Sequence, residues 1–280
     1  MRIIVMLAVL FTSSISASSL AQGSAIQVTV NDQVIGFEQR IRLGQFYQAL
    51  EFPSGLYWPA TRLVSAQKQE EIDKQQLQLV DDLIAMSSYY RDFGEFEVAE
   101  AIRQLAGQVR DWPLVGAEFI GVTRISERGD VQTGQSFERP SFYSSAADTT
   151  RGIKHNPLLP AGSYEWLMPP SSDYQVPWRM VGVTITGRAE LLPYTANKTV
   201  RELLQQQGVF SQSPRLAAVE VISLSGQHQT VPVAYYNRSD RAAVYGAVIV
   251  IPIPDEWLID RFVDMNKRLV ELAQYWNPVS

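Results

Sequence analysis

Residues 181–187 read VGVTITG, 199–208 read TVRELLQQQG, 218–223 read AVEVIS, 230–235 read TVPVAY and 247–253 read AVIVIPI. The first of these is a strand pattern. In the second, Thr199 followed three residues later by Glu202 forms a capping box, Leu203 and Leu204 supply a buried side, and Gly208 ends the helix. Ser225-Gly226 makes a hairpin of the third and fourth stretches, and Pro232 places the second arm of that hairpin at a sheet edge. The run from Ala247 to Ile253 is apolar on both faces, so it is expected at the centre of a sheet covered on both sides. Strand, helix, strand, strand, strand on a small mixed sheet is the order of the ubiquitin-like β-grasp.

The N-terminal half carries compatible pieces. Ile26–Val30 and Gln33–Phe37 alternate around Asn31-Asp32, which predicts a hairpin, and Leu43, Phe46, Tyr47 and Leu50 line one face of a short helix. From about 65 to 110 the character changes. Ile72, Leu79, Val80, Leu83 and Tyr90 repeat at helical spacing, Val98, Ile102, Leu105 and Val109 do so again, and Asp92-Phe93-Gly94 turns the chain between them. This predicts an αα-hairpin with Gln-rich exposed faces. Ala117–Val122 and Ser163–Met168 return to strand, and the polar stretch 127–156 reads as long loops with an irregular hairpin. The expected fold is α+β. It has two ubiquitin-like β-grasp domains, the first over 22–180 with the helical hairpin inserted at about 65–110, the second over 181–254. An amphipathic helix over 255–280 follows.

At the start, Arg2 precedes an apolar run from Ile3 to Phe11, and Ser19-Leu20-Ala21 puts small residues where a signal peptidase needs them, so residues 1–21 are expected to be a cleaved leader. The apolar run is too short for a transmembrane helix, which takes about 20 residues. No later segment is long and apolar enough to span a bilayer, so no stable membrane insertion is expected. The chain has no cysteine, which excludes disulfides, thiolate chemistry and the acylated cysteine of a lipoprotein. A secreted chain of this size without disulfides leans bacterial, and the expected location is the periplasm. The net charge of −5, with no basic tract, makes a poor nucleic-acid binder.

The C-terminal segment is the most patterned. Leu258, Phe262, Met265, Leu269, Leu272 and Trp276 step by four and three residues, a heptad-like seam widened by Trp257, Ile259, Val263, Val270 and Ala273. Asp255 and Glu256 suit the positive end of a helix beginning at Pro254. Such a seam either packs on its own domain or marks a partner-binding surface, because it is too apolar to stay bare. Few Lys or Arg lie on its polar face, which argues against lipid.

Catalytic signatures are scarce. The two histidines, His155 and His228, are isolated in polar sequence, with His228 expected in a solvated hairpin turn, and no phosphate-binding, zinc-protease or serine-hydrolase motif occurs. No cofactor or metal site is expected. Carboxylates for glycoside hydrolysis can lie far apart in a chain, so Glu118, Asp130, Glu138, Asp148 and Glu165 define an alternative reading as a glycan-acting enzyme using a carboxylate pair. Trp58, Trp112, Trp166 and Trp178 lie near Pro or Gly and suit the rim of a saccharide cleft. Arg124, Arg151 and Arg179 could hold acidic sugars or phosphate.

The order from Val181–Gly187 through Thr199-Val-Arg-Glu-Leu-Leu and Gly208 to Tyr245–Ile253 resembles the soluble-ligand-binding β-grasp module of Wza-type outer-membrane polysaccharide exporters. Upstream, Arg42-Leu43, Tyr57-Trp-Pro-Ala60 with Arg62-Leu63, and Asn156-Pro-Leu-Leu with Gly162-Ser-Tyr resemble landmarks of the GfcC capsule-biosynthesis family. So does the terminal helix with Asn266 and Trp276. The resemblance implies a non-enzymatic periplasmic accessory of capsule or O-antigen-type polysaccharide assembly, of the group 4 capsule kind, and the chain is expected to be a monomer. It would bind polysaccharide, a Wza-like exporter or both. The exporters are lipoproteins, and the missing lipidation cysteine sets this chain apart from them.

Overall fold

The computed structural model describes residues 4–5, 25–30, 32–49, 60–120, 122–125, 131–133, 158–167, 177–184, 190–193, 198–224, 226, 228–236 and 246–277. It divides into two units, residues 1–69 with 116–172, and residues 70–115 with 173–280.

In the first unit, β1 (Ile26–Val30) and β2 (Gln33–Phe37) form the expected hairpin, with Asp32 at φ 64° in its turn. Helix α1 (Leu43–Ala49) and strand β3 (Arg62–Ser65) follow, and the sheet is completed by β4 (Ala117–Ile120) and β7 (Gly162–Leu167). The sheet order is β2-β1-β7-β3-β4, with β1 and β7 parallel. Ile4–Val5, within the stretch read as a leader, pair with Gly36 and Ile35 at the outer edge of β2. The core gathers Ile26, Val28, Phe37, Leu43, Phe46, Leu63, Tyr164 and Trp166. Strands β5 (Val122–Ile125) and β6 (Val131–Thr133) form a separate irregular hairpin.

In the second unit, β8 (Trp178–Gly182), β9 (Glu190–Leu192), β10 (Ala218–Ile222), β11 (His228–Pro232) and β12 (Val248–Ile251) order as β9-β8-β12-β10-β11, with β8 and β12 parallel. Helix α4 (Val200–Gln206) starts with the full capping box between Thr199 and Glu202, and the short α5 (Val209–Gln212) follows. Both sheets thus share one strand order, second, first, fifth, third, fourth, with a helix between the second and third strands. That is the β-grasp, twice. The strand expected over 181–187 is shifted: it begins at Trp178 and ends at Gly182. As expected, β12 is central and β11, with Pro232, lies at an edge.

Alternation along the strands sends side chains to two different cores. Trp178, Met180, Val219, Val221, Val231, Ile249 and Ile251 pack under Leu203, Leu204 and Val209. On the opposite face, Val181, Val183, Ile222, Val248 and Val250 meet the helical hairpin and the chain's C-terminal segment. The hairpin is α2 (Ala66–Asp92) and α3 (Phe96–Arg110). It leaves and re-enters the chain between β3 and β4, but from Glu70 to Val115 it belongs to the second unit. The amphipathic pattern told which faces are buried and left open against what. The expected domain boundary at 180 falls inside β8.

The expected single helix from Pro254 to Trp276 is broken. It consists of two 3₁₀ turns, Asp255–Trp257 and Asp260–Phe262, and one α-helix, α6 (Met265–Ala273). Leu258 and Ile259 between the turns are extended. The break lets the segment bend over the sheet, with Phe262, Met265, Leu269, Leu272 and Trp276 all inward.

Candidate functional site

The terminal seam is closed by the protein's own second unit. Phe262, Met265, Leu269, Leu272 and Trp276 are buried, and Leu258 packs partly buried against the same core. Of the two readings of that seam, docking on its own domain is the one this geometry has. Polar contacts fix the segment in place. The Asn266 side chain bonds both backbone groups of Ile253, the Tyr90 hydroxyl donates to the Trp257 carbonyl at 2.8 Å, and Arg268 pairs with Asp82 at 2.8 Å. At the chain end, Val115 N–H donates to the Tyr275 carbonyl at 2.9 Å and Asn277 N–H to the Pro113 carbonyl at 2.8 Å. The Trp112 and Trp276 rings sit 5.5 Å apart between these strands of contact.

The sugar-binding candidates do not converge. Trp178 is fully buried, facing α4, and Arg179 is buried with its guanidinium 5.5 Å from the Trp276 ring. Both are core residues and cannot face a sugar from solvent. Their positions follow from the strand starting at Trp178, three residues earlier than its apolar signal suggested. Trp112 and Trp166 are buried as well. Arg124 lies on β5 opposite Gln132 of β6. Trp58 and Arg151 lie outside the described residues, as do Asp130, Glu138 and Asp148. Glu118 accepts a 2.6 Å hydrogen bond from Ser65 Oγ, and Glu165 is exposed on β7. Burial, and secondarily the charge of Glu118, pushes Tyr164 up to about 12. Among the described residues no group of three or more His, Cys, Asp or Glu could hold a metal.

Two features were not read from the sequence. His228, expected in a solvated turn, is half-buried on β11, with its Nε2 against Glu220, which also accepts from Thr230 Oγ1 at 3.0 Å. Cross-strand registry explains this, since Glu220 faces Thr230 and Ile222 faces His228. The other is at the helical-hairpin turn. Phe93 is 69% exposed and Phe96 67%, beside exposed Tyr89. The Tyr89 and Phe93 rings lie 4.6 Å apart, and Tyr89 meets Tyr90 edge-on at 5.4 Å. Burial, then Tyr89 and the charge of Glu95, raises the Tyr90 pKa. The turn Asp92-Phe93-Gly94 was visible in sequence as a turn; its phenylalanine was the unread signal.

Fold and site together define a tandem β-grasp protein of α+β architecture whose terminal helix is built into its own core. The chain belongs to the capsule biosynthesis GfcC family. Residues 21–130 match the family's N-terminal model and residues 188–275 its C-terminal model. A search of curated proteins finds no match. Membership gives the chain a role in capsule biosynthesis. Among the described residues, no helix is long and apolar enough to cross a membrane.

Proposed function

We propose that the protein is a non-enzymatic periplasmic accessory of capsule-type polysaccharide assembly and export, acting by binding the export machinery or the polysaccharide. The observation that carries this reading is the pair of family matches, one in each half of the chain. The inward seam supports an adaptor reading, because Phe262, Met265, Leu269, Leu272 and Trp276 fill the chain's own core. The absence of cysteine supports a protein free of a lipid anchor. Deleting the gene in the source bacterium and complementing it in trans tests the proposal. Surface polysaccharide should fall in amount or change in chain length, and recover on complementation. Unchanged polysaccharide would overturn it. Sequencing the N-terminus of protein from the periplasmic fraction should find Gln22 first; a retained Met1 or a cytoplasmic location would contradict the secreted location.

A further inference from the structure

We infer that the turn of the helical hairpin is a docking surface for a basic segment of a partner protein. This rests on the adaptor reading above and names its working surface. Phe93 and Phe96 are each about two-thirds exposed, and two large apolar side chains left bare at one turn mark an interaction site.

The cluster is pre-organised. Gly94 adopts φ 82°, its N–H bonds to the Arg91 carbonyl at 3.0 Å, and Glu95 N–H bonds to the Tyr90 carbonyl at 2.9 Å. Tyr90 in turn is tied to Trp257, so the rings of Tyr90, Tyr89 and Phe93 form a fixed series from the core outward. A rigid platform loses little entropy on binding.

Charge selects the occupant. Within the turn sequence 91–97, Asp92, Glu95 and Glu97 are exposed and Arg91 is the single basic residue. The nearby Arg103 is already engaged by Glu100 at 2.6 Å. Aromatic faces rimmed by carboxylates attract guanidinium and ammonium groups through cation–π and ionic contacts, and repel anionic lipid and acidic polysaccharide. A partner segment carrying Arg or Lys beside apolar residues fits both properties.

The test is photocrosslinking in the source bacterium, with p-benzoylphenylalanine placed at Phe93 in the full chain and, as a control, at Leu77, an exposed apolar residue of α2 away from the turn. The expected result is a protein adduct at position 93 and none at 77. Mass spectrometry should map the adduct to a segment with Arg or Lys. Its yield should fall several-fold when Glu95→Gln and Glu97→Gln are combined, with the folded circular dichroism spectrum retained at the temperature of the experiment. No adduct, an adduct on polysaccharide or lipid, an acidic partner segment, or a yield insensitive to neutralisation overturns the inference. If the deletion strain still loses capsule while position 93 gives no adduct, the inference fails and the accessory function stands.

Discussion

Asn266 grips Ile253 with both ends of its carboxamide: Oδ1 accepts from the Ile253 N–H and Nδ2 donates to the Ile253 carbonyl, each at 2.8 Å. The two residues are 13 apart, and a straight helix would separate them by about 20 Å. The clamp therefore requires the fold-back that the two 3₁₀ turns and extended Leu258–Ile259 provide. Gln108 of α3 makes the same paired contact to Gly182, with both hydrogen bonds at 3.1 Å. Gly182 pairs with Ile251 at the ends of the parallel strands β8 and β12. The helical hairpin and the C-terminal segment thus each read the backbone at the same end of two adjacent strands.

Asn266→Ala should destabilise the second unit by about 2–4 kcal/mol, since each buried backbone group left unsatisfied costs about 1–3 kcal/mol. Asn266→Asp should recover only part of this, because the carboxylate accepts from Ile253 N–H but cannot donate to its carbonyl. Urea denaturation of the full chain measures both.

Gly182→Ala should be worse than either. A Cβ at Gly182, where φ is 151°, would stand 2.5 Å from Ile251 Cβ and 2.6 Å from the Ile251 carbonyl oxygen. The neighbour is backbone in the central strand and cannot yield. A large drop in melting temperature or in soluble yield is expected; a stability equal to that of the unmodified chain would contradict the close pairing of β8 and β12.

Two neighbouring residues on α6 should behave oppositely. Arg268 pairs with Asp82, but their side chains keep 25% and 33% exposure, so Arg268→Ala should cost at most about 1 kcal/mol and less in high salt. Leu269 is fully buried in the core, so Leu269→Ala should cost about 2–5 kcal/mol at any salt concentration. Salt-dependent thermal melts separate the two effects.

Tyr164 gives an alkaline limit to stability. Its hydroxyl donates to the Pro160 carbonyl at 2.9 Å, and its folded pKa is raised to about 12 against an unfolded value near 10. A raised folded pKa favours the neutral form in the native state. Its contribution is complete below about pH 10 and is lost as pH rises toward 12. Tyr164→Phe should flatten the fall in melting temperature over that window, and an unaltered pH profile would contradict it.

Much of this was legible in the sequence because it was local. The capping box at Thr199 and Glu202, the turn at Gly94, the hairpin around Gly226 and the doubly apolar run ending in Ile253 each state their structure within a few residues. Three matters were not local. Heptad spacing from Leu258 to Trp276 reports which residues are buried, and a bent segment of 3₁₀ and α turns buries the same ones, so the break was invisible. The hairpin pattern around Leu79 and Ile102 could not say which sheet it covers. Trp178, next to Pro177, looked like a cleft rim and Arg179 like a holder of acidic sugar or phosphate, while the pairing of Arg179 with Val248 that makes them core is set by a strand some 70 residues away. The site was less legible than the fold: exposure of Phe93 and Phe96 is a tertiary fact.

Truncating the chain after Pro254 should strip the packing of Phe262, Met265, Leu269 and Leu272 from one face of the second sheet. A marked loss of melting temperature is expected, with Val181, Val248 and Val250 exposed in the remainder. Exposed apolar surface of that kind binds hydrophobic dyes, which supplies a second readout.

The most direct measurement is native-state hydrogen exchange on the full chain, comparing amides of α6 with those of β12. If the terminal segment is part of the second unit's core, Leu269, Val270 and Leu272 exchange only by global unfolding, at the rate of Ile249 and Val250. Rapid exchange in α6 while β12 stays protected would mean that the seam opens independently, and would return it to the role of a partner-binding surface.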